Sequence, residues 1–371
     1  MVRTRGLRSS GILWAAGVLI LFWGLLVFSV PVQQSAANSI SYCLSVLVPS
    51  LFPFMALTGL AVNSGAGTIF GRLLGSLCRK VFRLPSACAA VILISLIGGY
   101  PAGAKGISLL LEQEKVTERQ AGRMLLFCIN PGVAFVVTFL GGSVLGSTHI
   151  GWLLFGAVSL ASLILGAVTA LWSPVPQKEP QVNHIPTSGV LVNSVTGACR
   201  SMLVMCGCIL AFSCFSATLH GSGIFQYITR AIAYSGIFTP MESATIFSFL
   251  LEVTGGVGVA ADFQVSAVFY AFGLAFGGLC VHLQIFSMFK RLPGKLRDFF
   301  LFRFLHGGLA ALIFGMLSHW TAGAQPITLP ANTLPGGLML SGSWAGGLSL
   351  LIMCVAFLLV TGSPQSILHK T

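Results

Sequence analysis

Apolar runs long enough to cross a bilayer alternate with short polar segments along this chain, and two apolar regions are broken by glycine and proline. A hydrocarbon core about 30 Å thick needs roughly 20 apolar residues in helical form. Runs of that kind cover about 11–30, 43–62, 124–143, 151–172, 196–219, 264–289, 299–318 and 344–362, which predicts about eight transmembrane helices. Two broken regions, 86–111 and 223–258, have arms such as Ala87 to Ile97 and Ile246 to Leu251 that are too short to cross. They are expected to form re-entrant helical hairpins that return to the side they entered from.

The breaks are Gly98-Gly99-Tyr100-Pro101-Ala102-Gly103-Ala104-Lys105-Gly106 and Leu251-Glu252-Val253-Thr254-Gly255-Gly256-Val257-Gly258. Irregular backbone at membrane depth survives only where protein buries it or where it lines a watery cavity. Paired interruptions in two halves of a chain point to a transporter's binding site.

Composition agrees with the pattern. Over 371 residues, 55% are hydrophobic and 8% charged, with a mean hydropathy of +0.92. About 25% charge is usual for a soluble domain, so a water-facing surface is excluded and the chain is an all-α polytopic membrane protein. The net charge of +12 does not indicate nucleic acid, because the basic residues sit in short loops rather than along an aromatic-interleaved face. With a cytoplasmic amino terminus, the inner loops hold Arg72, Arg79, Lys80, Arg83, Lys115, Arg119, Arg123, Lys178, Lys290, Arg291, Lys295 and Arg297, and the outer segments hold Arg230. That asymmetry follows the positive-inside rule and places both termini in the cytoplasm. The ten cysteines show no metal-knuckle spacing and read as small core residues. No metal and no cofactor is expected.

Under this topology the two halves carry the same elements in opposite sense, an inverted repeat. The expected divisions are an N-terminal helix and lead-in (1–42), a first repeat (43–172), a proline-rich linker (173–190), a second repeat (191–318), and an exterior loop with a C-terminal helix (319–371). Thr117-Glu118-Arg119-Gln120 fits a capping box at a helix start. Pro49 and Pro53 are expected to bend the second span.

Several residues are candidates for chemistry. Lys105 offers a cation beside backbone N–H groups freed at a helix start, or else it snorkels to the interface. Gly99 and Tyr100 belong to the same break. Glu252 is the carboxylate embedded in an apolar run, a candidate for a coupling proton or cation, with Thr254 beside it. Asn130, in Asn130-Pro131-Gly132, either satisfies freed backbone or faces a ligand. His282 and Gln284 occupy the matching region of the second half, and a neutral histidine satisfied in a core is the alternative reading of the first. Arg200, Arg303 and His306 are read as packing or interface residues. No HExxH, GxSxG, GxxxxGK[ST] or dinucleotide fingerprint occurs, so no enzyme is expected.

The segments Val48-Pro49-Ser50-Leu51-Phe52-Pro53-Phe54, Gly99 to Lys105, Leu126 to Gly132, Leu250 to Gly255 and Phe276 to Gln284 together resemble the YlbJ-type sporulation integral membrane proteins, within the wider group carrying a nucleoside-recognition (Gate) domain. The resemblance covers about residues 43–318, and Cys280 and Pro131 depart from its usual pattern. It implies a bacterial cytoplasmic-membrane protein, or one of the outer forespore membrane, that moves a small anion, dipicolinate first, during sporulation. A nucleoside or nucleobase transporter and a non-transporting spore-envelope assembly protein are the alternatives. The lipid bilayer is the expected surrounding, and a homo-oligomer is compatible with the sequence.

Overall fold

The computed structural model describes residues 9–64, 73–174 and 189–321. The chain divides into two compact units, Met1–Leu329 and Pro330–Thr371. The expected exterior loop and C-terminal span at 344–362, and most of the linker 173–190, lie outside the described residues.

Every regular element described is helical. Helix α1 is Ser9–Val27, and α2 (Ser29–Tyr42) runs through a π-helical turn, Cys43–Leu47, into α3 (Val48–Asn63). A second π turn at Cys78–Phe82 leads to α4 (Cys88–Ile97) and α5 (Tyr100–Glu112), then α6 (Glu118–Phe127), a π-helical stretch Ala134–Val144, and α7 (Thr148–Ala170). The other half comprises α8 (Val190–Gly221), α9 (Ile224–Ala233), α10 (Pro240–Leu251), α11 (Val253–Asp262), α12 (Ala267–Phe276), α13 (Gly278–Ser287) and α14 (Leu296–Thr321).

Five helical stretches are long and apolar enough to cross a membrane: Ser29–Asn63, Thr148–Ala170, Val190–Gly221, Ala267–Ser287 and Leu296–Trp320. Their outward faces carry bare hydrophobes such as Leu203 (75% exposed) and Leu312 (63%), a surface suited to lipid and costly in water. The expected span at 124–143 is not continuous: α6 ends at Phe127 and the helix resumes beyond Pro131 as a π-helical stretch. Proline cannot donate to the preceding turn, and it pushes Asn130 out of helical geometry. The span expected at 43–62 is longer than read, because the π turn lets the helix continue from Ser29 past Pro49 and Pro53.

The first expected hairpin region holds a folded-back helix pair. A Cβ on Gly106 would lie 2.8 Å from Val91, and one on Gly103 2.9 Å from Ser95, so α5 returns along α4. The second lies later than its expected bounds. Gly223 and Gly236 have positive φ and set off α9 as a separate helix. A capping box from Thr239 to Glu242 then starts α10, and the fold-back runs over 240–262. The Thr117–Gln120 capping box forms as expected.

Element order is therefore the same in both halves: a long helix, a short helix or π turn, a folded-back pair, a broken helix and a closing long helix. Contacts show which termini share an end. Gln113 Nε2 donates to Asn63 Oδ1 at 2.8 Å, Ser108 donates to the Met288 carbonyl at 3.0 Å, and Arg83 Nη1 donates to the Ser173 carbonyl at 2.9 Å. Arg123 donates to the Phe82 carbonyl, and Gly122 packs on Gly294. Far from these, Ser35 and Ser213 share one hydroxyl–hydroxyl hydrogen bond at 2.6 Å, clasping α2 to α8, and Phe28 packs against Gly221.

Candidate functional site

Both hairpin tips open onto one cavity. Gly99, Tyr100 and Pro101 from the first tip and Glu252, Val253 and Thr254 from the second line it, together with Gly132 and Gln284. Apolar side chains from the π turn Cys43–Leu47, α3, the π-helical stretch Ala134–Val144, α8 and α13, including Leu51, Phe135, Met205 and Ile209, complete the wall. Its volume is about 40 Å³, room for a few waters at roughly 10–15 Å³ each and too little for an organic solute in this conformation.

Glycines bring the breaks together. Gly99 has φ +89°, and a Cβ on it would lie 3.2 Å from the Gly132 nitrogen, so the first tip packs directly against the break between α6 and the π-helical stretch. A Cβ on Gly278 (φ +71°) would meet the Phe249 carbonyl at 2.9 Å and the Glu252 nitrogen at 3.2 Å. The second tip thus seats on the break between α12 and α13.

The two tips differ in chemistry. Glu252 is the N-cap of α11: its Oε1 accepts from the Thr254 amide at 2.8 Å, and its Oε2 accepts from the Gly255 amide at 2.6 Å and from the Thr254 hydroxyl. A carboxylate here satisfies orphan N–H groups and opposes the positive end of the helix dipole. The equivalent position before α5 is Gly99, and α5 has no side-chain cap.

Of the expected site residues, the structure brings together Gly99, Tyr100, Glu252, Thr254 and Gln284 at the cavity wall. Lys105, Asn130 and His282 do not line it. Lys105 is half-buried on α5, its Cε beside Gly197 of α8. Asn130 is fully buried; its Nδ2 donates to the Phe127 carbonyl and to Ser162 Oγ, each at 3.1 Å. His282, also fully buried, places Nε2 2.8 Å from the Phe276 carbonyl. These two side chains satisfy the ends of broken helices, which hydrocarbon could not do.

The residue that sequence reasoning undervalued is Arg303. It is fully buried on α14, and its guanidinium donates to the Ile129 carbonyl at 2.8 Å, to the Ala275 carbonyl at 3.5 Å and to the Leu126 carbonyl. It therefore caps the C-terminal ends of α6 and α12 together, where the helix dipoles favour a cation. Tyr100 Oη donates to the neighbouring Leu274 carbonyl at 2.5 Å. Three successive carbonyls of α12, from Leu274 to Phe276, are thus met by side chains of α5, α14 and α13. His306 completes the layer, with Nε2 3.0 Å from the Val158 carbonyl. The signal in the sequence is the cation inside Phe299-Phe300-Leu301-Phe302-Arg303-Phe304, an expensive placement unless the group has a buried task.

Among the described residues, no group of three or more His, Cys, Asp or Glu is placed to hold a metal ion. No family model matches the chain, and no solved structure matches it. Over 315 residues it is 24% identical to the sporulation integral membrane protein YlbJ of Bacillus subtilis (strain 168), covering 76% of each chain. The chain is an integral membrane protein distantly homologous to that sporulation protein.

Proposed function

We propose that this chain is a transporter or facilitator that passes a small anionic solute, dipicolinate (pyridine-2,6-dicarboxylate) first, through the cavity between its hairpin tips. The observation that carries the reading is the meeting of both tips and both broken helices around one cavity. Helix breaks at membrane depth are tolerated where protein buries them or where they line a watery cavity, and paired breaks in two halves point to a solute site. The matching element order of the halves, together with the basic residues Arg83, Lys115, Arg119, Arg123, Lys290 and Arg291 beside the termini that share one end, supports an inverted repeat. In that arrangement the hairpins re-enter from opposite sides and the basic end faces the cytoplasm. The homologue's name supplies the link to sporulation, and dipicolinate is the solute that the resemblance implies.

The lining favours a second reading as well. Among the described residues no lysine or arginine lines the cavity; its polar groups are Glu252, Thr254, Gln284 and Tyr100, a set equally able to hold the hydroxyls and ring amides of a neutral nucleoside. Uptake into liposomes reconstituted with the full chain separates the two. Saturable dipicolinate entry that ignores excess uridine supports the first reading; uridine entry that ignores dipicolinate replaces it with the second.

A further inference from the structure

Another cavity lies beside the first hairpin, away from its tip. It is an apolar groove of about 320 Å³, within the range of about 300–1,000 Å³ usual for ligand sites. Leu77 and Val81, from the helical turn 73–77 and the π turn Cys78–Phe82, form one wall. Leu93 and Leu96 of α4 form the other, and Leu163 of α7 completes the lining. One end of the groove is basic. Arg79 and Lys80 are exposed on the π turn, and Arg83 follows it with Nη1 on the Leu171 and Ser173 carbonyls, just past the end of α7. Residues 73–97 and 148–170, which supply every wall, contain no Asp or Glu. From that end the groove runs into apolar depth. At 1.5 Å per residue, Leu163 lies about 10 Å along α7 from its end at Ala170, and Leu96 about 12 Å along α4 from its start at Cys88. That is most of one leaflet, half of a hydrocarbon core about 30 Å thick.

We infer that this groove binds an anionic phospholipid of the leaflet at the basic end, with its phosphate beside Arg79, Lys80 and Arg83 and one acyl chain along α4. Basic pockets between helices hold anionic headgroups by charge, and no carboxylate of the walls competes for these cations. The walls favour an acyl chain over a helix of a second copy. Helices associate in membranes through small residues that let backbones approach, whereas leucines dominate this lining. A water-soluble partner does not fit either: Leu73 (74% exposed) and Leu77 (55%) stand bare beside the basic turn, a surface that belongs in hydrocarbon. The acyl chain lies against the arm that carries the first hairpin tip, so leaflet composition acts on the stability of that hairpin.

Native mass spectrometry tests this on the purified full-length protein, stripped of lipid in detergent and then given phosphatidylglycerol or phosphatidylcholine with the same chains. At roughly fivefold for each basic residue near an anionic headgroup, the wild type should hold phosphatidylglycerol at least about twentyfold more strongly than phosphatidylcholine. The double variant Arg79→Gln with Lys80→Gln should lose most of that preference while still binding both lipids. Leu77→Trp, which fills the groove from its exposed rim, should abolish the tight site, whereas Leu73→Trp, one turn away and outside the lining, should leave it. Equal retention of the two lipids by the wild type overturns the inference, as does unchanged phosphatidylglycerol binding in Leu77→Trp. Displacement of the lipid by glycerol 1-phosphate, the headgroup without chains, overturns it by assigning the site to a free phosphate. A dimer that Leu77→Trp dissociates overturns it by giving the groove to a second copy. None of these residues lines the cavity between the hairpin tips, so each outcome leaves the transport reading as it stands.

Discussion

Arg303 shows how one side chain can hold two broken helices. Replacing it with methionine keeps the bulk but takes the guanidinium donor from the Leu126 and Ile129 carbonyls. At about 1–3 kcal/mol for each buried group left unpaired, Arg303→Met should fail to fold or melt well below the wild type in detergent. Arg303→Lys should fall between, because a compact ammonium cannot reach both helix ends as a planar fork does. Equal melting of wild type and methionine variant would remove the capping role. By the same reasoning Asn130→Ala and His282→Ala should each cost roughly 1–2 kcal/mol of stability while leaving solute preference unchanged. The sequence marked Asn130 as belonging to a break and His282 as lying in the matching region of the second half. It could not say which way they faced, since a donor serving backbone and a donor serving a ligand are the same residue type beside the same glycine or proline.

At the scale of elements, close packing around the first hairpin is the feature most open to test. A Cβ on Gly103 would run into the Cys128 carbonyl oxygen and lie 2.9 Å from Ser95, so Gly103→Ala must separate α5 from α4 or from the end of α6. It should lower stability by more than about 2 kcal/mol. Gly258→Ala, where a Cβ meets nothing within 4 Å, should be neutral or stabilise by up to about 1 kcal/mol. Thermal melts of the two variants check the pair, and a harmless Gly103→Ala would contradict the packing described. The first hairpin was legible because Gly98-Gly99 separates two apolar arms of unequal polarity. The second was displaced in the reading because hydropathy alone does not separate α9 from α10; Gly236 and the Thr239–Glu242 capping box do. The break at 128–132 was partly hidden, since Pro131 signals it but both flanks stay apolar enough to resemble one span.

For the whole molecule, the all-helical membrane class followed from low charge and long apolar runs, and five of the expected spans coincide with helices of crossing length. What composition could not supply was convergence: Gly99 and Glu252 are 153 positions apart in sequence and line one cavity. The inverted-repeat proposal predicts that single cysteines placed at Lys115 and Lys290, in a cysteine-free background, react with an impermeant maleimide from the cytoplasmic side, and one at Arg230 from the other. Labelling of all three from the same side would contradict it. The central claim, that solute passes between the hairpin tips, is tested most directly by dipicolinate flux into liposomes holding wild type, Ile209→Trp or Gly207→Trp. Ile209 lines the 40 Å³ cavity, whereas a Cβ on Gly207 of the same helix meets nothing within 4 Å. The account predicts that Ile209→Trp reconstitutes normally and carries no solute, while Gly207→Trp carries it like the wild type. Undiminished flux through Ile209→Trp would show that the path lies elsewhere.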